Sequence, residues 1–308
     1  MKMRPLAALI AGLVVLLAVG CGSGNTDEKA GDSPAAPPGE TLEALWRAPG
    51  VDVAVVPGTS DYAPGRNRVS FLIVDEDELV ERPTATVYVA AGLKRKPYEK
   101  TVARLEPIGV PGGETAPAGS IYVTTITVRG PGKVWFMAEP VGGKRVQALG
   151  NLVVGKRSTA PNVGDRAIST ETPTLRSTRG NLKLLSTSRK PDRKLYETSV
   201  AEAVAAHEPF VVTFATPAFC QTRTCGPVVD VVSAVRRRFV GTDVRFIHAE
   251  VYRDNDPAKP VNRWLDDWHL QTEPFTFVVD RNGRVSAKLE GAFSVGELAA
   301  AVKHVARR

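Results

Sequence analysis

Histidine and cysteine are scarce in this 308-residue chain, which has 4 of the first and 3 of the second. Neither occurs between Val51 and Val154, so no metal centre or nucleophilic site is expected in that stretch. Aromatic residues make up only 6% of the chain. Few of them are interleaved with the basic cluster at Arg176, Arg179, Lys183, Arg189, Lys190, Arg193 and Lys194. Nucleic acid is therefore a poor partner for this chain. A solvated basic segment is the plainer reading, and attraction to anionic lipid or wall polymer is the alternative. Long apolar runs are also lacking: the one from Leu6 to Val19 has about 14 residues, too short for a spanning helix. From Gly22 to Glu40 almost nothing apolar is present, and such a composition cannot bury a core.

What is there at the N-terminus is Met1-Lys2-Met3-Arg4, the apolar run, and Gly20-Cys21. Two positive charges, a short apolar core and a small residue before the cut make a secretory signal. The four residues Ala18-Val19-Gly20-Cys21 resemble a bacterial lipobox. That resemblance implies a signal peptide over 1–20, cleavage before Cys21, and diacylglycerol on its sulfur with acylation of the new amino group. Residues 21–42 would then be a disordered tether. The chain would be a lipoprotein held in the lipid bilayer on the extracytoplasmic face of the cell membrane, each buried methylene contributing about 0.8 kcal/mol.

With 43% hydrophobic residues the remainder is long enough for two ordinary domains. From Val51 to about Val154 the runs "RVSFLIV", "TATVYVA", "SIYVTTITV", "KVWFMAE" and "NLVV" alternate, with turn signals at Pro111-Gly112-Gly113 and Pro131-Gly132 between them. Val69, Phe71 and Ile73 share one face, and Trp135 is expected in the core. Short alternating strands at this density predict an antiparallel β-sandwich of immunoglobulin-like type over 43–155. Residues 156–198 have turn formers and little periodicity and read as a linker, with "LKLLSTS" as one edge strand.

From Ser199 the period changes. Ser199 and Glu202 make a capping box for a short helix. The runs "FVVTFAT" and "VRFIHAEVY" read as strands buried on both faces, and "VVDVVSAVRRRF", "VNRWLDDWHL" and "VGELAAAVKHVA" as helices. "PFTFVVD" and "RVSAKLEG" form a hairpin about Asn282-Gly283. The predicted order over 199–308 is α-β-α-β-α-β-β-α. With an apolar strand leading into "FCQTRTC", and with "TEPFTFVVDRNGRV" followed by an amphipathic helix, this segment resembles the thioredoxin superfamily. The resemblance implies an α/β thioredoxin-like fold, a redox-active cysteine at Cys220, and a cis-proline at Pro274.

Cys21 would be consumed by its lipid, which leaves Cys220 and Cys225 in a disulfide-permissive compartment. They pair with each other, cycle with a partner, or hold a metal. The spacing is Cys-x-x-x-x-Cys, not the superfamily's Cys-x-x-Cys. In a regular helix such residues are displaced about 7.5 Å along the axis and about 140° around it, and a disulfide needs Cα atoms within about 7 Å. Either Cys220 lies in the loop before the helix, or the first turn melts when the bridge closes; Gly226-Pro227 would weaken that turn. A similar spacing occurs in one branch of the peroxiredoxins, but Pro217 and Thr213 stand where that branch has threonine and proline.

The resemblance places Thr213 where thioredoxins carry a buried acid, so another group must move the proton. Glu250, at the carboxyl end of its strand, is the candidate shuttle; a solvated strand-end carboxylate is the plainer reading. Phe219, Arg223 and Glu273 are expected to line the partner groove. Arg223 would favour the Cys220 thiolate, and Glu273 would raise the thiol pKa. The expected function is membrane-anchored thiol–disulfide exchange on extracytoplasmic protein thiols and disulfides, with no cofactor. The alternatives are a binding or scaffold lipoprotein with a permanent Cys220–Cys225 staple, and copper delivery of the Sco type with His248 and His269 joining the cysteines.

Overall fold

The computed structural model describes residues 41–306. The signal peptide, the Cys21 lipidation and nearly all of the tether therefore lie outside the described residues. Among those described, no helix is long and apolar enough to cross a membrane. The elements in chain order are α1 (Leu42–Trp46), β1 (Val51–Pro57), β2 (Gly65–Asp75), β3 (Glu78–Leu79), β4 (Thr84–Ala90), β5 (Glu99–Pro107), β6 (Ser120–Val128), β7 (Gly132–Pro140) and β8 (Val146–Val154). There follow α2 (Val200–Ala205), β9 (Phe210–Phe214), α3 (Cys225–Arg238), β10 (Arg245–Ala249), α4 (Arg263–Asp267), β11 (Phe275–Val279), β12 (Val285–Glu290) and α5 (Val295–Lys303).

The expected fold class is corrected by the pairing of the first eight strands. They form one sheet in the order β1-β8-β7-β4-β5-β6-β2-β3, and β1 also pairs with β2. Seven strands thus close into a barrel, where two facing sheets of an immunoglobulin-like sandwich were expected. The closure is made by β1, parallel to β8 through Val51–Ala54 and antiparallel to β2 through Ala54–Pro57. Alternation still decides which side chains point inward: Val69, Phe71, Ile73, Val87, Val89, Tyr122, Phe136 and Leu152 fill the interior. Trp135 is not among them. It lies half-buried on the outer face beneath α1, with Leu42, Ala90 and Met137.

The succession read from Ser199 onward is present, and the Ser199–Glu202 capping box forms. The class inferred from it is nevertheless not that of the molecule. The protein is mostly β, its helices are few, and among the described residues only α3, with 14 residues, exceeds nine. The chain is therefore neither thioredoxin-like α/β nor an immunoglobulin-like sandwich, contrary to the sequence expectation. The four strands here run β10-β9-β11-β12, with β9 and β10 parallel and the rest antiparallel. All five residues of β9 are buried, because α3 and α5 cover one face and α2, α4 and Trp268 the other. Residues 156–198 add no edge strand; "LKLLSTS" begins as a 3-10 turn, Leu182–Leu184. Leu185, Leu195 and Tyr196 are buried in the α3–α5 core.

Barrel and second sheet meet along a seam of partly and fully buried charge. Glu290, at the end of β12, accepts hydrogen bonds from the Ser60 and Asp61 backbone N–H groups, both at 2.9 Å, and from the Ser60 hydroxyl at 2.6 Å. Lys288 donates to Asp61 at 3.1 Å and to Ser158 at 2.9 Å. Burial pushes the Asp61 carboxyl up, but its hydrogen bonds and the Lys288 charge outweigh this and hold it below the usual range. Arg68 grips both Glu297 oxygens, at 2.6 and 2.9 Å, and donates to the carbonyls of Glu290 and Ala292. Removing Arg68 leaves a carboxylate and two carbonyls without these donors. The side chains of Arg68 and Glu297 are 11% and 20% exposed, so Arg68→Ala is expected to cost about 3 kcal/mol, read as a lowered midpoint in urea denaturation.

Candidate functional site

The apolar strand β9 ends at Phe214, and the chain then leaves the sheet through Thr216–Arg223. Cys220 lies in this loop; Cys225 is the first residue of α3, with Thr224 at the N-cap position. The two cysteines are joined by a disulfide with their Cα atoms 6.0 Å apart. The geometric condition is met by the first route: Cys220 is off the helix. A turn does this, in which the Arg223 N–H donates to the Cys220 carbonyl at 3.1 Å and Arg223 adopts φ 54°. Pro227 does not weaken the helix as expected. It sits in the first turn, where a backbone N–H has no helical partner in any case.

Cys225 is fully buried and Cys220 is 8% exposed, so an incoming group reaches Cys220 first. The Thr222 hydroxyl lies 3.3 Å from Cys220 Sγ and 2.8 Å from the Thr224 hydroxyl. In the reduced protein that hydroxyl is placed to donate to a Cys220 thiolate. Thr224 makes no side-chain hydrogen bond to the helix it precedes.

The group beside Cys225 is Glu273. Its Oε2 is 3.7 Å from Cys225 Sγ and accepts the Thr216 N–H at 3.0 Å. Burial pushes the Glu273 carboxyl up to about 7; the Thr216 hydrogen bond opposes this, and the Glu250 charge adds to it. The Glu273–Pro274 peptide bond is cis. Among the described residues, the one cluster with metal-ligand spacing is Cys220, Cys225 and Glu273, whose ligand atoms lie within 4.8 Å of one another.

Glu250 is buried but is not brought to a sulfur by any contact. Its Oε1 accepts the Thr187 hydroxyl at 2.9 Å and the Thr187 N–H at 2.5 Å, and the Thr187 Oγ accepts the Ala218 N–H at 3.1 Å. Glu250 therefore braces the cysteine loop through Thr187. Its Oε2 has no hydrogen-bond partner. His248 is used up within the core: Nε2 donates to the Ala215 carbonyl at 2.9 Å, which leaves Nδ1 to accept the Tyr196 hydroxyl at 2.7 Å. Burial holds this imidazole below its ordinary pKa, hence neutral. His269 is exposed at the end of α4, and neither histidine joins the sulfur cluster. Arg223 is exposed, and Phe219, 37% exposed, packs edge-on to Tyr252.

A groove of about 350 Å³ opens beside Glu273, and neither cysteine lines it. Thr222, Thr224, Glu273 and Pro274 form one wall, and Val56, Leu72, Ile108 and Ile121 of the barrel supply apolar surface opposite. The barrel wall and the Thr222 and Thr224 contacts were not read from the sequence. A hydroxyl two residues from a cysteine was the available signal for Thr222. No protein-family model and no curated protein matches the chain.

Because the folded Glu273 carboxyl titrates near 7 and an unfolded one near 4.5, the native state binds the extra proton between those values. Stability of the oxidised protein is present in full below the lower value and is lost as pH rises through the upper one. The urea midpoint should therefore fall between pH 4.5 and about pH 7, and Glu273→Gln should flatten that part of the profile.

Proposed function

We propose that this protein is an extracytoplasmic thiol–disulfide oxidoreductase acting on protein disulfides through Cys220 and Cys225. The reading is carried by a single observation: a bridged cysteine pair whose inner sulfur lies 3.7 Å from the Glu273 carboxylate, which itself lines an open groove. In the reduced protein the Cys220 thiolate, with the Thr222 hydroxyl beside it, attacks one sulfur of a substrate disulfide. A mixed disulfide forms and one substrate thiolate leaves, taking up a proton. Cys225 then gives its proton to Glu273, and its thiolate attacks Cys220 Sγ. The Cys220–Cys225 bond forms, the mixed disulfide breaks, and Glu273 returns the proton to the second departing thiolate. The substrate gains two electrons and two protons; the pair loses two electrons, the Cys225 proton through Glu273, and the Cys220 proton, which was released to solvent when the thiolate formed and is taken from solvent by the first leaving thiolate. Run backwards, the same steps oxidise a substrate dithiol.

The near-complete burial of both sulfurs favours a second reading, a permanent staple in a binding protein. The two separate on the redox potential, since structural bridges resist reduction down to about −300 mV and below. For the exchange reading, Cys220→Ser should reduce insulin-disulfide turnover to background, and Cys225→Ser should accumulate the mixed disulfide on a non-reducing gel. Glu273→Gln should slow release of that mixed disulfide by about a hundredfold. Turnover indifferent to Cys220→Ser would sink the reading.

A further inference from the structure

The first turn of α3 carries Cys225 and has no side-chain cap: the Thr224 hydroxyl lies 2.8 Å from that of Thr222 and makes no bond to the helix. The carboxylate that approaches it comes from the barrel. The loop between β5 and β6 lays Gly109 against Pro227, and the Glu114 N–H donates to Asp230 on α3 at 2.6 Å. That clamp sets the Glu114 side chain against Gly226, the second residue of α3. The Oε2 atom occupies the space a Cβ at Gly226 would need. Glycine at this position is what admits the approach.

We propose that Glu114 is a positioning residue through which the barrel sets the redox equilibrium of the Cys220–Cys225 pair. An open helix N-terminus stabilises a nearby thiolate. A fixed carboxylate at the same end is drawn to the same positive pole and repels the thiolate. It therefore holds the thiolate fraction of the reduced pair down and shifts the pair towards its disulfide. The other charges about the pair are Glu273, Glu250, Asp230 and the exposed Arg223. Glu273 and Glu250 belong to the second sheet and Asp230 to α3 itself, so Glu114 is the contribution the barrel makes. The inference rests on the pair being exchange-competent, as proposed above.

The test is the equilibrium of the intact protein with dithiothreitol buffers at pH 8, with iodoacetamide alkylation of the reduced pair as a function of pH. Glu114→Gln should raise the equilibrium constant for reduction and the thiolate fraction about two- to fivefold, equivalent to about 9–20 mV. The difference from wild type should shrink in 1 M salt, as a half-exposed charge requires and a packing change does not. Gly226→Ala, which displaces the carboxylate without removing it, should shift the equilibrium in the same direction, and the double variant should add nothing to the larger single effect. A Glu114→Gln protein whose equilibrium and alkylation profile match wild type overturns this inference and leaves the exchange reading standing. A wild-type bridge that does not equilibrate with the buffers overturns both.

Discussion

The groove, the clamp on α3 and the position of the barrel all depend on the charge seam between β12 and the loop after β1. Glu290 is 7% exposed, and a carboxylate so placed is tolerable only when its oxygens are occupied. Ser60 and Asp61 occupy them from the barrel, and Thr272 does so from the segment leading to Pro274, at 3.1 Å. One carboxylate thus joins the barrel, the end of β12 and the approach to the cis peptide. At Gly291, the next residue, a Cβ would collide with the Gly58 carbonyl, so barrel backbone and second-sheet backbone touch there. Such contacts permit little sliding, because any displacement would expose unpaired charge to a poorly solvated seam.

How much of this is legible in the sequence follows from the range of each interaction. Alternation marks Val69, Phe71 and Ile73 as an inward face, and the structure keeps them there. The same alternation serves a sandwich and a barrel equally, since both bury one face of each strand. The choice lies in whether β1 finds β2 as well as β8, a pairing that binary patterning does not encode. The loop position of Cys220 was one of two routes allowed by the spacing, and Arg223 in the left-handed region selects it. Glu273 was legible as a charge expected in the partner groove near the thiol, but its contact with Cys225 spans 48 residues. Glu114 and Asp230 lie 116 apart, and Ser60 and Glu290 230 apart. Contacts of that range have no local signature, and they are the ones that attach the barrel to the pair.

The same distinction separates the roles of the two buried acids on the sheet side. Glu250 has the position an alternation argument selects, yet its contacts run to Thr187 and so to the backbone of the loop. Glu273 lies outside any strand alternation, yet it meets the sulfur. Placing both acids there has a consequence: the Glu250 charge adds to the burial that raises the Glu273 carboxyl. An acid held near neutrality can accept a proton and return it within one exchange, which a carboxylate at its ordinary value does poorly. In the proposed exchange, Glu250 would act twice without touching the sulfurs, by bracing the loop that carries Cys220 and by raising the proton affinity of the group beside Cys225.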